Sequence, residues 1–257
     1  MFSGFAIMQQ IQMQKYERES FEKMKAKPYS ESLKVEKRLK LSAESWVEYK
    51  LFDCESSFKD VDLLVRENEE KCFVLSSEKN YIYINKIIPK NQGLDAFWGN
   101  KLCAVAFDKP TIIPCLYEKQ YNGKYSREPW MSITPSEIFS LRYGTRYAKK
   151  HTVIAGLGLG YQLVEVSKRK QVTKITLVEQ SQELVDWLLP EIRLKMQGNA
   201  ELEVIIGNAY KIIPKMKAEV ALIDIYPGYG YNEFETCPNI EKVWVWGSAK
   251  IGCGSYR

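Results

Sequence analysis

Between His151 and Gly230 four apolar runs follow one another, and each ends in small or polar residues. The first, 151–155, leads into the glycines Gly156, Gly158 and Gly160; the second, 175–178, ends at Glu179. The third, 205–206, ends at Gly207, Asn208 and Ala209, and the fourth, 221–223, ends at Asp224 ahead of Ile225, Tyr226 and Pro227. Helix-like segments separate them. Strands alternating with helices predict a parallel sheet covered by helices on both faces. In such an open sheet a ligand sits beyond the carboxyl ends of the strands, where the strand order reverses. Four successive strand ends of suitable chemistry therefore constrain the fold and the place of a site together.

The chain has 257 residues, enough for one large domain or two smaller ones, and its hydrophobic fraction of 45% is ordinary for a globular protein. A formal charge of +5 tolerates an anionic partner such as nucleic acid without indicating one. The six cysteines form no CxxC pair, and Cys54, Cys72, Cys103 and Cys115 lie in or beside apolar runs, as buried thiols of a reducing compartment do. With His151 the single histidine, opening a strand, neither a structural zinc site nor a Ser-His-Asp triad is expected, and no metal is assigned. No apolar run approaches the roughly 20 residues of a membrane span. Gln9, Gln10, Gln12 and Gln14 break the apolar N-terminus, which reads as no signal peptide, so the expected location is the cytoplasm.

Three regions are expected. Residues 1–45 form a helical arm, with a helix over 5–27 stopped by Pro28, and a charged linker over 30–41. Residues 46–130 form a strand-rich domain, with strands over 47–52, 72–76, 81–84, 102–107 and 111–113. Its aromatics Tyr81, Tyr83 and Trp98 read as core rather than as a substrate wall. Residues 131–257 form the ligand-binding domain. There Thr134, Pro135 and Glu137 have the spacing of a helix N-cap, first position and capping-box acid, so a helix should follow to Tyr147. A fifth strand is expected over 242–247.

The glycine turn distinguishes between ligands. Glycines admit positive φ and close approach of backbone to ligand. A dinucleotide fingerprint needs a third small residue at position 161, which is Tyr161. The GxGxG spacing suits a nucleoside ligand without a pyrophosphate, namely S-adenosylmethionine or a relative. Gly156, Leu157, Gly158 and Gly160 are expected around it, with helix amides after Gly160 pointing at the same place. Glu179 can accept from both ribose hydroxyls, with Gln180 beside it. Asn208 and Ala209 suit the adenine edge. Asp224 is a carboxylate at the mouth of a buried strand, costly unless it binds something. It is the candidate for catalysis or for orienting the methionine part, and Tyr226, Tyr229 and Tyr231 after it are candidates for an acceptor wall.

Residues 132–247 resemble the class I methyltransferase superfamily, and within it the spermidine-synthase-like branch. Val153–Gly160 is similar to that branch's first motif, with Ile154 at the position where many methyltransferases carry an acid. Leu177–Glu179 and a helix ending near Leu189 and Pro190 resemble the second motif. Ile206–Ala209 resembles the third, with Asn208 replacing aspartate, and Ala221–Asp224 resembles the strand whose aspartate helps deprotonate an attacking amine. The resemblance implies a Rossmann-like sheet and a catalytic role for Asp224; Tyr226 is the other catalytic candidate, from its place in the loop after Asp224, and a C-terminally shortened form of the sheet is expected as a departure from the family. The second aspartate with which aminopropyltransferases bind a polyamine is absent, because Ile225 and Tyr226 precede Pro227.

The expected function is therefore S-adenosylmethionine-dependent transfer, most simply of a methyl group to an acceptor the sequence does not name. Aminopropyl transfer from decarboxylated S-adenosylmethionine and a non-catalytic assembly role are the alternatives. With Trp244 and Trp246 on one face of the last strand and Val243 and Val245 on the other, both faces should be buried. Its edge should be covered by the strand-rich domain or by a second copy of the chain.

Overall fold

The computed structural model describes residues 40–44, 46, 49–98, 101–226, 234, 237–246 and 255–256. The expected helix over 5–27, Tyr229, Tyr231, Cys253 and the side chains of Trp98 and Cys103 lie outside the described residues.

The first part of the chain is rich in strands. β1 (Lys40–Leu41) runs parallel to β5 (Lys101–Phe107), which pairs on its other side with β4 (Leu94–Trp98). A second sheet has the order β2 (Phe73–Leu75), β3 (Tyr81–Ile88), β6 (Thr111–Glu118), β7 (Met131–Ser132), antiparallel throughout. A short helix, α1 (Val61–Arg66), buries Val61 and Leu64 against it. The strand expected over 47–52 is absent from the described residues 49–52. That segment is tied by side chains instead of a ladder: the Tyr83 hydroxyl accepts from Leu51 N at 3.1 Å, and the Tyr49 hydroxyl donates to Leu159 O at 2.7 Å.

The second part is the expected parallel sheet. Its strands are β8 (Lys150–Ala155), β9 (Val172–Glu179), β10 (Glu201–Ile206), β11 (Ala218–Ile223) and β12 (Ile240–Val245). They lie in the order β10-β9-β8-β11-β12 and are all parallel, so the order reverses between β8 and β11. This is a Rossmann-like parallel sheet, with helices on both faces. One face packs under three helices: α2 (Pro135–Thr145), α3 (Tyr161–Ser167) and α4 (Gln182–Arg193), through Ile138, Leu163, Leu184, Leu188 and Ile192. The other face packs under the short α5 (Ala209–Ile212) and Phe234. The helix α4 runs on past Pro190, where the motif led us to end it. Pro190 and Asp186, four residues earlier, both lie on the exposed face, so water can satisfy the carbonyl that proline leaves without a donor.

Two tryptophans show how the far edge of the sheet is closed. Trp244 is fully buried against Gly144 of α2, and the indole of Trp246 donates to Ser140 Oγ of the same helix at 2.9 Å. Val243 and Val245 are buried on the opposite face. The free side of β12 is met by the chain itself: Ser255 and Tyr256 (β13) pair antiparallel with Val245 and Trp244. At Trp244 and Val245 the edge is therefore paired within the chain, and not with a described strand of the strand-rich part. No described helix is long and apolar enough to cross a membrane.

The two parts share one core. Tyr49, Leu51, Tyr81, Tyr83 and Leu116 belong to the same apolar cluster as Ile154, Leu177 and Trp244. Phe52 stacks on Trp187 of α4 at 5.3 Å, and Glu183 of α4 accepts from Glu78 N and Asn80 Nδ2 at 2.9 and 2.8 Å. Tyr81 and Tyr83 are core residues. Cys54, Cys72 and Cys115 are free thiols. His151 bonds Thr176 Oγ1 through Nε2 at 2.9 Å, a structural contact at the end of the sheet opposite the strand termini discussed next.

Candidate functional site

A cleft of about 310 Å³ opens at the carboxyl ends of β8, β9, β10 and β11. Gly156 and Gly158 come to it from the first strand, Glu179 and Gln180 from the second. Asn208 and Ala209 come from the third, Asp224 and Tyr226 from the fourth. The strand order brings together residues that the sequence separates, at the reversal point where ligands of such sheets sit.

Close packing within the protein dictates the glycines. At Gly156 φ is +92° and a Cβ would lie 2.2 Å from the backbone oxygen of Asp224, so no other residue lets β8 and β11 end side by side. At Gly158 φ is +50° and a Cβ would lie 2.6 Å from the Met131 methyl, so the turn is also pressed from the strand-rich part.

Leu157 and Gly160 were expected at the ligand and do not line the cleft. The Leu157 side chain is in the core, and its N–H donates to Glu179 Oε2 at 2.7 Å. Gly160 caps α3 in the left-handed region beneath Ile192. The α3 helix, only seven residues long, begins with the buried Tyr161, whose ring packs on Tyr49.

Glu179 is buried and heavily used. Oε1 accepts from Gln180 N and Ser181 N at 2.7 and 2.9 Å, while Oε2 accepts from Leu157 N. A carboxylate offers about four lone-pair sites. Three are filled by backbone, so one acceptor site remains, on Oε2, where the sequence suggested two for a ribose diol. Asn208 caps α5, its Oδ1 accepting from Tyr210 N at 2.9 Å, which leaves Nδ2 as the donor end.

Asp224 stands next to the glycine turn, its N–H donating to Ala155 O at 3.0 Å. Burial pushes its carboxyl up to about 7. Glu137, in the first turn of α2, is the residue sequence reasoning placed elsewhere. Its N–H does donate to Thr134 Oγ1, at 3.4 Å, but the other half of the capping box is not made. Its Oε1 is buried with no hydrogen-bond partner. Burial and the charge of Asp224 hold its carboxyl well above the usual range. The capping spacing accounted for Glu137 fully on its own helix, and no periodicity signals that this turn faces the end of the fourth strand.

Trp130 and Met131 also line the cleft, from the segment read as a boundary loop. Trp130 leans on Tyr81 with ring centroids 6.0 Å apart, and β7 begins beside it. Tyr210 stacks on Phe234 at 5.1 Å on the other side. Among the described residues no group of three or more His, Cys, Asp or Glu side chains is placed to hold a metal.

No protein-family model and no curated protein sequence matches this chain. Among solved structures it is similar to a protein-L-isoaspartate O-methyltransferase, with 16% identity and a TM-score of 0.35 over 50% of this chain and 40% of that one. It is also similar to spermidine synthase from Thermotoga maritima, with 17% identity and a TM-score of 0.32 over 60% of this chain and 52% of that one. A SAM-dependent methyltransferase from Thiobacillus denitrificans, in complex with S-adenosyl-L-homocysteine, has 17% identity and a TM-score of 0.30 over 44% of this chain and 48% of that one. The matched part is about half of each of these proteins or less. The strand order described above, rather than these alignments, defines the fold of this chain.

Proposed function

We propose that this chain is an S-adenosylmethionine-dependent transferase, in its simplest form a methyltransferase. The observation that carries the reading is the convergence of Gly156, Glu179, Asn208 and Asp224 on one cleft at the reversal point of the sheet. The residues fit such a ligand. The remaining acceptor site on Glu179 Oε2 suits a ribose hydroxyl, and Asn208 Nδ2 suits an adenine ring nitrogen. The apolar sides, from Met131 and Val178, suit the flat faces of a nucleoside. The bound cofactor would supply an electrophilic carbon on a sulfonium sulfur.

The chain's own residues supply position and a base. Holding a nucleophile in line with its target is the larger part of such catalysis. Asp224, which lines the cleft and whose carboxyl is pushed up to about 7 by burial, can accept a proton from an acceptor that arrives protonated. Tyr226 forms part of the wall beside it.

Calorimetric titration of the protein with S-adenosylmethionine, its decarboxylated form and S-adenosylhomocysteine tests the reading. Binding of S-adenosylmethionine and S-adenosylhomocysteine is expected. Clear preference for the decarboxylated form would move the reaction to aminopropyl transfer, and binding of none would leave a fold without this cofactor.

A further inference from the structure

Positive charge gathers at the end of the parallel sheet opposite the cleft. Lys149 and Lys150 open β8, Lys168 and Lys170 lie between α3 and β9, and Lys217 precedes β11. The first two of these segments are tied into one surface. Lys150 N donates to Gln171 O at 2.6 Å, and the Arg169 guanidinium donates to Ala148 O and Arg146 O at 3.0 and 2.7 Å. Beside them Arg146 and Lys242 both lie over the Tyr147 ring, 4.9 and 3.6 Å from its centre.

Helix C-termini attract cations, which accounts for Arg146 after α2 and Lys168 after α3. Lys149, Lys150 and Lys217 stand at strand starts, where a sheet has little net dipole to draw them. Glu241, Glu219 and Glu165 pair with Lys149, Lys150 and Lys168 at 2.9, 3.9 and 2.5 Å, yet these lysines stay 46, 70 and 37% exposed. Such surface pairs contribute little and are readily exchanged for another anion. Lys170 and Lys217 are exposed and join no ion pair among the described residues.

We propose that this rim is a docking surface for the phosphodiester backbone of a nucleic acid. Lys170, Lys150 and Lys217 stand at the starts of three neighbouring strands, β9, β8 and β11. Adjacent strands lie about 4.8 Å apart, so these positions form a row about 10 Å long. A row of cations suits a chain of phosphates, whose counterions it displaces one after another. An anionic membrane surface also attracts lysines, but segments that lie on membranes bury apolar side chains there. Residues 146–150 and 168–171 expose no large apolar side chain. The surface lies away from the cleft, and its charge does not depend on what the cleft holds.

Fluorescence anisotropy on the full chain tests this with labelled single-stranded RNA, single-stranded DNA and duplex DNA, each about 20 nucleotides long. Vesicles of phosphatidylcholine and phosphatidylserine are the membrane control. At least one oligonucleotide should bind, the strongest identifying the source of the backbone, and its affinity should fall at least about tenfold between about 50 and 200 mM salt. The triple variant Lys150→Gln, Lys170→Gln, Lys217→Gln should weaken binding by at least about tenfold. Lys119→Gln with Lys124→Gln, on the strand-rich part, should leave it unchanged. Absence of binding by any oligonucleotide at about 50 mM salt would overturn the proposal whatever the variants do. So would unchanged affinity in a triple variant that urea unfolding shows to be folded, or an equal loss in the Lys119→Gln, Lys124→Gln variant. Vesicle binding by a chain that binds no oligonucleotide would overturn it in favour of a membrane surface.

Discussion

The carboxylate of Glu179 accepts a hydrogen bond of 2.7 Å from the backbone N–H of Leu157, joining the end of the second strand to the glycine turn after the first. Because Oε1 also takes two backbone N–H groups from its own turn, this one side chain fixes two of the four walls of the cleft. Glu179→Ala should therefore weaken S-adenosylhomocysteine binding by about 1.5–3 kcal/mol and also lower folding stability by about 2 kcal/mol, since buried N–H groups lose their partner. Calorimetry and urea unfolding separate the two effects; unchanged values in both would remove Glu179 from the account.

Gly156→Ala should destabilise the fold by about 2 kcal/mol or more, because the added methyl meets the Asp224 backbone oxygen at 2.2 Å and φ is +92°. Urea unfolding checks this directly. Gly158→Val should abolish ligand binding with a smaller loss of stability, since the nearest atom, the Met131 methyl, ends a flexible side chain.

The glycine turn, the acid at the end of the second strand and the aspartate at the end of the fourth were all legible from residue order, because a parallel sheet puts every strand end on one side. The fates of Leu157 and Gly160 were not, since the same GxGxG spacing serves a ligand and a tightly packed strand-to-helix turn. Trp130 and Met131 come to the cleft from the segment preceding the sheet, and only the packing of β7 shows this. The closure of β12 by Ser255 and Tyr256 was equally hidden, because a two-residue strand carries no periodic pattern.

Gly144→Ala tests how α2 packs. Glycine inside a helix is about 1 kcal/mol worse than alanine, so the substitution would ordinarily stabilise. Here the methyl would lie 2.5 Å from the Trp244 ring, and overpacking of this kind costs about 1–3 kcal/mol. A net loss of stability is expected in thermal unfolding; a gain would mean that Trp244 does not pack on this helix.

Asp224 should shape the pH dependence. Burial raises its carboxyl to about 7, above the unfolded value of about 4. Between those values the folded chain keeps a proton that the unfolded chain has released, so stability falls as pH rises across the window and levels off above it. Asp224→Asn removes this loss. The variant's stability relative to wild type should therefore grow from about pH 4 to 7 and then stay constant in urea unfolding. On an identified acceptor, wild-type turnover should rise through about pH 7, and Asp224→Asn should reduce turnover far more than cofactor affinity.

The central claim is that the cleft holds an adenosyl ligand. A crystal structure of the protein grown with saturating S-adenosylhomocysteine tests it most directly. The account predicts density for the ligand beyond the ends of β8 and β9, with the ribose at Glu179, adenine at Asn208 and Ala209, and the amino-acid end toward Asp224. An empty cleft at saturating ligand, or a ligand bound elsewhere on the chain, would contradict it.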